Sequence, residues 1–397
     1  MWNIPTLSTE PVANSPLATL IVALAVLLVM LGIVAYLILL ERKVAAWIQD
    51  RIGPNRAGPL GLFQPIADIT KMFLKEEFTP ARADRWLYLL APLWVVVPAM
   101  IAVAVVPLAG VAQIGPWRVD LQIARVDVGL LYVLAAGSLG VYGVVLGGWA
   151  ANSKYSFLGA LRSTAQMLSY EVPLGLTLLS IVLVAGTLRL ETIISQQGHL
   201  WWGVWPAWTV FTQPLAFLIV LTCLLAESNR LPFDLPEAEQ ELVGGYHTEY
   251  SSMRFGMFML AEYAHLLIGL TVVVVLFLGG WHLPGLSADQ TAWYWALAKL
   301  AALLGKVGVL MFLVMQIRWT LPRFRFDQLM RLAWTVWVPA ALELLMVNGV
   351  LLWAQAALPW RTVGNVAVFA AVLAVAGIVR SPVTGRQRML QRAGDAE

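Results

Sequence analysis

The segment LATLIVALAVLLVMLGIVAYLILL, residues 17–40, runs 24 positions without a charged side chain. At about 1.5 Å per residue, a helix of that length crosses the roughly 30 Å hydrocarbon core of a bilayer. Glu41, Arg42 and Lys43 follow at once, where a polar interface would begin. No Lys or Arg precedes the run, and it is too long for the apolar region of a cleaved signal peptide, so a retained span is expected.

The same pattern recurs along the chain. Sixty per cent of its 397 residues are apolar, with 18 tryptophans and only 12% charged residues, well outside the 45–50% apolar content of soluble domains. Hydropathy predicts nine spans, at about 17–40, 87–109, 128–150, 164–187, 209–227, 253–280, 292–316, 333–357 and 362–379. Of the 26 Lys and Arg residues, 20 fall on the side of the connections 41–85, 150–163, 228–254, 317–332 and 380–397, against four on the other side. The positive-inside rule then puts the N-terminus outside and the C-terminus in the cytoplasm. The expectation is one all-α polytopic membrane bundle of about nine transmembrane helices over 1–397, without internal repeats, in a bacterial plasma membrane. The segment WWGVWPAW, 201–208, reads as part of an aromatic belt.

In the first cytoplasmic connection, Leu62, Ile66, Ile69 and Phe73 fall on one helical stripe, with Gln64, Asp68, Lys71 and Lys75 opposite. An interfacial helix over 62–76 is predicted. Before it, IGPNRAGPLG breaks helix and forces a turn that can hold Arg51 and Arg56 near the membrane surface, as anion contacts or as topology anchors.

The acids are distributed against the topology. Residues 226–250, AESNRLPFDLPEAEQELVGGYHTEY, hold Glu227, Asp234, Glu237, Glu239, Glu241 and Glu249 against the single base Arg230, on the side expected to be basic. Glu171, Glu227, Glu262 and Glu343 lie within or at the edge of spans, where a charged side chain costs about 2.5–3.5 kcal/mol by insertion scales. They should point into a polar interior, to handle protons or to tie helices together. Glu262 and His265, three apart, are placed to share a proton or a water. Lys299 and Lys306 lie on one face of the seventh span, with the glutamates as their expected partners.

The single cysteine, Cys223, excludes a disulfide framework, a thiolate zinc site or a cysteine-bound iron–sulfur cluster within this chain. The four histidines are scattered, which disfavours haem and metal sites. Nothing points to nucleic acid. Two classes of protein use such a chain: a secondary transporter, which would want repeated halves, or a subunit of a redox-driven pump whose electron carriers sit in other chains.

Three segments carry a resemblance: ERKVAAWIQDRIGPNRAGP, AESNRLPFDLPEAEQELVGGYHTEYS and LPRFRFDQLM, with SYE (169–171) and AEY (261–263) in the expected order. They resemble the signatures of the H-type membrane subunit of proton-translocating NADH:quinone oxidoreductase, respiratory complex I. The resemblance implies a chamber where quinone is reduced as substrate, with flavin and iron–sulfur clusters in peripheral partner subunits and antiporter-like subunits beside it in the membrane. It implies a proton route through Glu171, Glu227, Glu237, Glu239, Glu241, Glu249, Glu262 and His265. Arg51, Arg56, Asp68, Lys71 and Asp234 would belong to the quinone chamber or its entrance. Arg323, Arg325 and Asp327 would sit at the cytoplasmic rim, in ion pairs or in function. Related subunits also serve membrane-bound hydrogenases and other ion-pumping dehydrogenases. The family's glycine–tryptophan–lysine after DQLM is absent here: Ala333 and Thr335 flank Trp334.

Overall fold

The computed structural model describes residues 15–198, 200–201, 205–235, 242–286, 290–356 and 358–379. Glu237, Glu239 and Glu241 lie outside the described residues, as does the tail 380–397. The helices in chain order are α1 (Pro16–Ile48), α2 (Gln64–Leu74), α3 (Arg85–Ala102), α4 (Gly129–Ala150), α5 (Lys154–Ala185), α6 (Leu190–Gln196), α7 (Thr209–Thr212), α8 (Pro214–Glu227), α9 (Ser252–Phe277), α10 (Trp293–Thr320), α11 (Phe326–Arg331), α12 (Val338–Trp353) and α13 (Leu358–Val379). A π-helical segment, Leu332–Trp337, joins α11 to α12. Two short antiparallel hairpins, β1 (Val111–Ile114) with β2 (Trp117–Asp120) and β3 (Leu200–Trp201) with β4 (Trp205–Pro206), are the sheet among the described residues.

Seven of the described helices are long and apolar enough to cross a membrane, so the chain is an all-α polytopic membrane protein. Local chemistry sets their ends. Ser15 caps α1 by accepting from the Ala18 N–H at 3.3 Å, with Pro16 in the first turn where its missing N–H costs nothing. Asp84 caps α3 by accepting from the N–H groups of Trp86 and Leu87.

In lipid, helices gain little from burying apolar surface against each other, so close approach through small residues carries much of the packing. A Cβ on Gly148 of α4 would lie 2.3 Å from the Ala160 Cβ of α5. One on Gly159 of α5 would lie 2.8 Å from the Gly245 backbone, which holds the 245–247 turn against the bundle.

The predicted span 209–227 is divided. Pro214 has no N–H to continue α7, and α8 is a helix of 14 residues, about 21 Å long, with most of its side chains buried. It stops inside the bundle, so that Glu227 ends in the interior. Beside it stands α9, the most buried of the seven long helices. At the edge of the bundle, α2 keeps Ile66, Ile69 and Phe73 exposed, the face an interfacial helix turns to lipid.

Candidate functional site

Where α8 ends, the chain turns through Ser228 and Asn229, and Gln166 of α5 staples the turn. Its amide donates to the carbonyls of Ala226 (2.7 Å) and Phe233 (2.8 Å). That turn drives Arg230, 8% exposed, into the bundle. Its guanidinium donates to both oxygens of Glu41 at 3.2 Å and lies 3.5 Å from Glu262 Oε1. It also stands 4.0 Å over the ring of Tyr263, whose hydroxyl donates to Glu41 Oε2 at 2.6 Å. Arg318, near the end of α10, completes the group by pairing with Glu41. Two guanidiniums, two carboxylates and a phenol thus gather where α1, α9 and α10 meet.

One turn of α9 deeper, the arrangement opens. His265 Nε2 lies 3.4 Å from Glu227 Oε1, so the histidine pairs with the end of α8 and not with Glu262 on its own helix. Glu262 is turned to Arg230 instead. A cavity of about 290 Å³ reaches from this pair past Gly137, Ser138 and Glu171 into apolar surroundings between Leu130 and Val273. A smaller one of about 40 Å³ is lined by Glu227, Glu262, His265 and Asn229. A water needs roughly 10–15 Å³ of such volume and two to four polar partners, so both have room for water near the acids. Among the described residues, Glu171 Oε1 is buried without a hydrogen-bond partner.

The other candidate residues fall into separate groups. Asp234 accepts from Arg323 at 3.0 Å, and the Phe324 N–H donates to the Pro232 carbonyl at 3.2 Å, which joins the acidic segment to the LPRFRF segment. Arg325 and Asp327 pair with each other at 3.3 Å in an exposed position. Asp68 accepts from Arg42 (2.7 Å) and Gln64 (2.9 Å), tying α2 to α1. Arg51 donates to Gln49, while Arg56 and Lys71 are exposed. Glu249 is half-buried, and its carbonyl accepts from the Tyr88 hydroxyl at 2.7 Å. Tyr88 stacks on Tyr250 at 4.1 Å. Burial raises the Tyr250 hydroxyl above its ordinary value and lowers His247, in the adjoining turn, to about 4. Thr335, in place of the family's lysine, is exposed and donates to the Arg331 carbonyl at 2.7 Å.

Two expectations are corrected. Lys306 donates to the carbonyls of Leu278, Gly280 and His282 at 2.6–2.8 Å, with Trp208 as a cation–π partner at 4.6 Å. Lys299 donates to the Gln290 carbonyl and faces Trp281. Carbonyls and tryptophan rings thus take the place expected for the glutamates, and both lysines hold the connection after α9. Trp208 is therefore part of that clasp, not only of a belt. Glu343 is exposed on the outside of α12, not turned inward.

Glu41 is a functional candidate that sequence patterns did not single out. It is only 7% exposed, yet it stands in the run ERK at the end of the first span, where it looks like part of an interface anchor. An acid placed directly after 24 uncharged residues is the signal that could have found it.

Fold and site together define a polytopic helical membrane protein with paired and open carboxylates strung from one membrane face to its interior. The NADH dehydrogenase family model matches residues 21–349. The chain is 47% identical over 321 residues to the first NADH-quinone oxidoreductase H subunit of Geobacter metallireducens, covering 81% of this chain and 92% of that one. It is 43% identical over 338 residues to the first H subunit of Cytophaga hutchinsonii, covering 83% and 95%, and 45% identical over 312 residues to the H subunit of Flavobacterium johnsoniae, covering 78% and 87%. The chain belongs to the family of NADH-quinone oxidoreductase H subunits.

Proposed function

We propose that this chain is the subunit of a proton-translocating NADH:quinone oxidoreductase in which quinone reduction is coupled to proton movement. The observation that carries this reading is the succession of acids from Asp234 through Glu262 and Glu227 with His265 to Glu171, ending on a cavity of about 290 Å³. Quinone reduced to quinol takes up two protons, and interacting carboxylates titrate as a set that can pass protons when nearby charge changes. On this reading the enzyme is a translocase of the bacterial plasma membrane, with the N-terminus of this chain outside. The chain binds quinone as substrate and leaves flavin and iron–sulfur chemistry to peripheral partners, with antiporter-like subunits beside it. Arg51, Arg56, Asp68 and Lys71 line the approach of quinone along α2. Glu237, Glu239, Glu241 and Glu249 feed the acids below.

The test is made on the assembled enzyme in sealed vesicles, following NADH:quinone turnover and proton uptake together. Glu227→Gln and Glu171→Gln should each depress coupled turnover while the complex still assembles, as should the pair Glu237→Gln with Glu239→Gln. Unchanged turnover and pumping in all three would remove the role assigned to these acids.

A further inference from the structure

Glu343 stands apart from the acids above. It lies on α12, about 15 Å along the axis from Trp353 at the outer end and about 18 Å from Arg331 at the cytoplasmic end. Those distances put its backbone near mid-depth of a hydrocarbon core of roughly 30 Å. The inner face of the helix is accounted for: Ala340, Ala341, Leu344 and Asn348 are buried, and Asn348 donates to Ser180 of α5 at 2.8 Å. Glu343 is on the opposite side. With Met346, Val350 and Trp353, which are 70%, 62% and 87% exposed, it forms one stripe at spacings of three, seven and ten residues. Among the described residues Glu343 makes no ion pair or hydrogen bond, and it lines neither of the cavities beside the acids. A carboxylate facing lipid at this depth is unfavourable, and such groups face protein or pair with one another. The stripe is otherwise apolar, so whatever covers it must be apolar at its edges and polar at one level.

We infer that the Glu343–Trp353 stripe of α12 is the docking surface for a transmembrane helix of another chain, one that presents a hydrogen-bond donor or a cation to Glu343 at mid-membrane depth. A water-soluble partner cannot reach that level, and a lipid headgroup lies about half a bilayer away. The inference rests on the reading of this chain as one subunit of a multi-subunit membrane enzyme.

The experiment places a photo-activated benzophenone amino acid at Met346 in the full chain within its assembled membrane complex. Irradiation should give a covalent adduct with a single second membrane polypeptide. Glu343→Leu should reduce its yield about tenfold, the factor that a loss of about 1.4 kcal/mol produces, while Glu343→Gln, which keeps hydrogen-bonding capacity, should retain most of it. Adducts with lipid alone, adducts with a second copy of this chain, or an undiminished yield in Glu343→Leu would each overturn the inference. NADH:quinone turnover of the same preparation separates the two readings. Turnover with lipid adducts alone removes the docking surface and spares the enzyme assignment; a polypeptide adduct in particles without turnover does the reverse.

Discussion

Glu262 and Glu227 are both buried carboxylates of the bundle, and their surroundings differ. Glu262 belongs to a dense group of charges with Arg230, Arg318, Glu41 and Tyr263, and it borders only the smaller cavity of about 40 Å³. Glu227 shares one contact with His265 and borders two cavities, with Glu171 on the far wall of the larger. A dense group resists a change of charge, because every proton gained or lost unbalances several partners at once. An open pair can change charge while water and a neighbouring acid adjust. The difference sets a more constrained acid, Glu262, beside a more adaptable one, Glu227, along one succession.

The strongest way to break this contrast is Glu41→Ala. It leaves Arg230 and Arg318 facing each other without their shared carboxylate, and removal of one partner from a buried ion pair costs about 3–5 kcal/mol. The complex should lose thermal stability or fail to assemble, as followed by the melting temperature of the purified particle; a variant as stable as the parent would mean that the dense group holds nothing. Next in size is Lys306→Met. It orphans up to three carbonyls after α9 at roughly 1–3 kcal/mol, and faster hydrogen exchange in residues 278–286 is the expected readout.

His265→Asn sharpens the contrast from the open side. Stability should hardly move, while coupled turnover falls about tenfold, equivalent to about 1.4 kcal/mol of barrier, and its pH profile changes shape. A loss of stability comparable to that of Glu41→Ala would erase the distinction between the regions. The smallest effect concerns His247, whose burial in the 245–247 turn lowers it to about 4 from an ordinary value near 6.5. Between those values the unfolded segment binds a proton that the folded one refuses, so local stability is full above pH 6.5 and declines as pH falls toward 4. Hydrogen exchange of residues 245–250 across that range should show a slope of at most about 1.4 kcal/mol per pH unit, and His247→Phe should flatten it.

Hydropathy and the order of motifs made much of the fold legible. An uncharged run such as 17–40 has few alternatives, because any other conformation would leave backbone groups unsatisfied in lipid. Divided helices were less legible: composition alone does not reveal that 209–227 breaks at Pro214 and that α8 ends within the bundle. The candidate site was legible as a set of residues and not as a set of pairs. Glu262 and His265 were a natural couple by spacing, yet the rotation of α9 presents one to Arg230 and the other to Glu227. Lys306 had glutamates as natural partners by charge, yet the end of α9 offers it three carbonyls.

By itself, then, the sequence determined that this is a helical membrane protein with the motifs of the quinone oxidoreductase family, and that several of its acids fall within or at the edge of its apolar spans. Those properties follow from one-dimensional quantities: the length of apolar runs, the sidedness of Lys and Arg, and the order of motifs. Only the tertiary structure decided that Glu41, 189 positions from Arg230, is its counter-ion, that the acid cluster divides into a dense and an open part, and that Glu343 faces outward. Partner choice inside a bundle depends on how each helix is rotated and how deep it sits, and those are set by the packing of many small contacts at once.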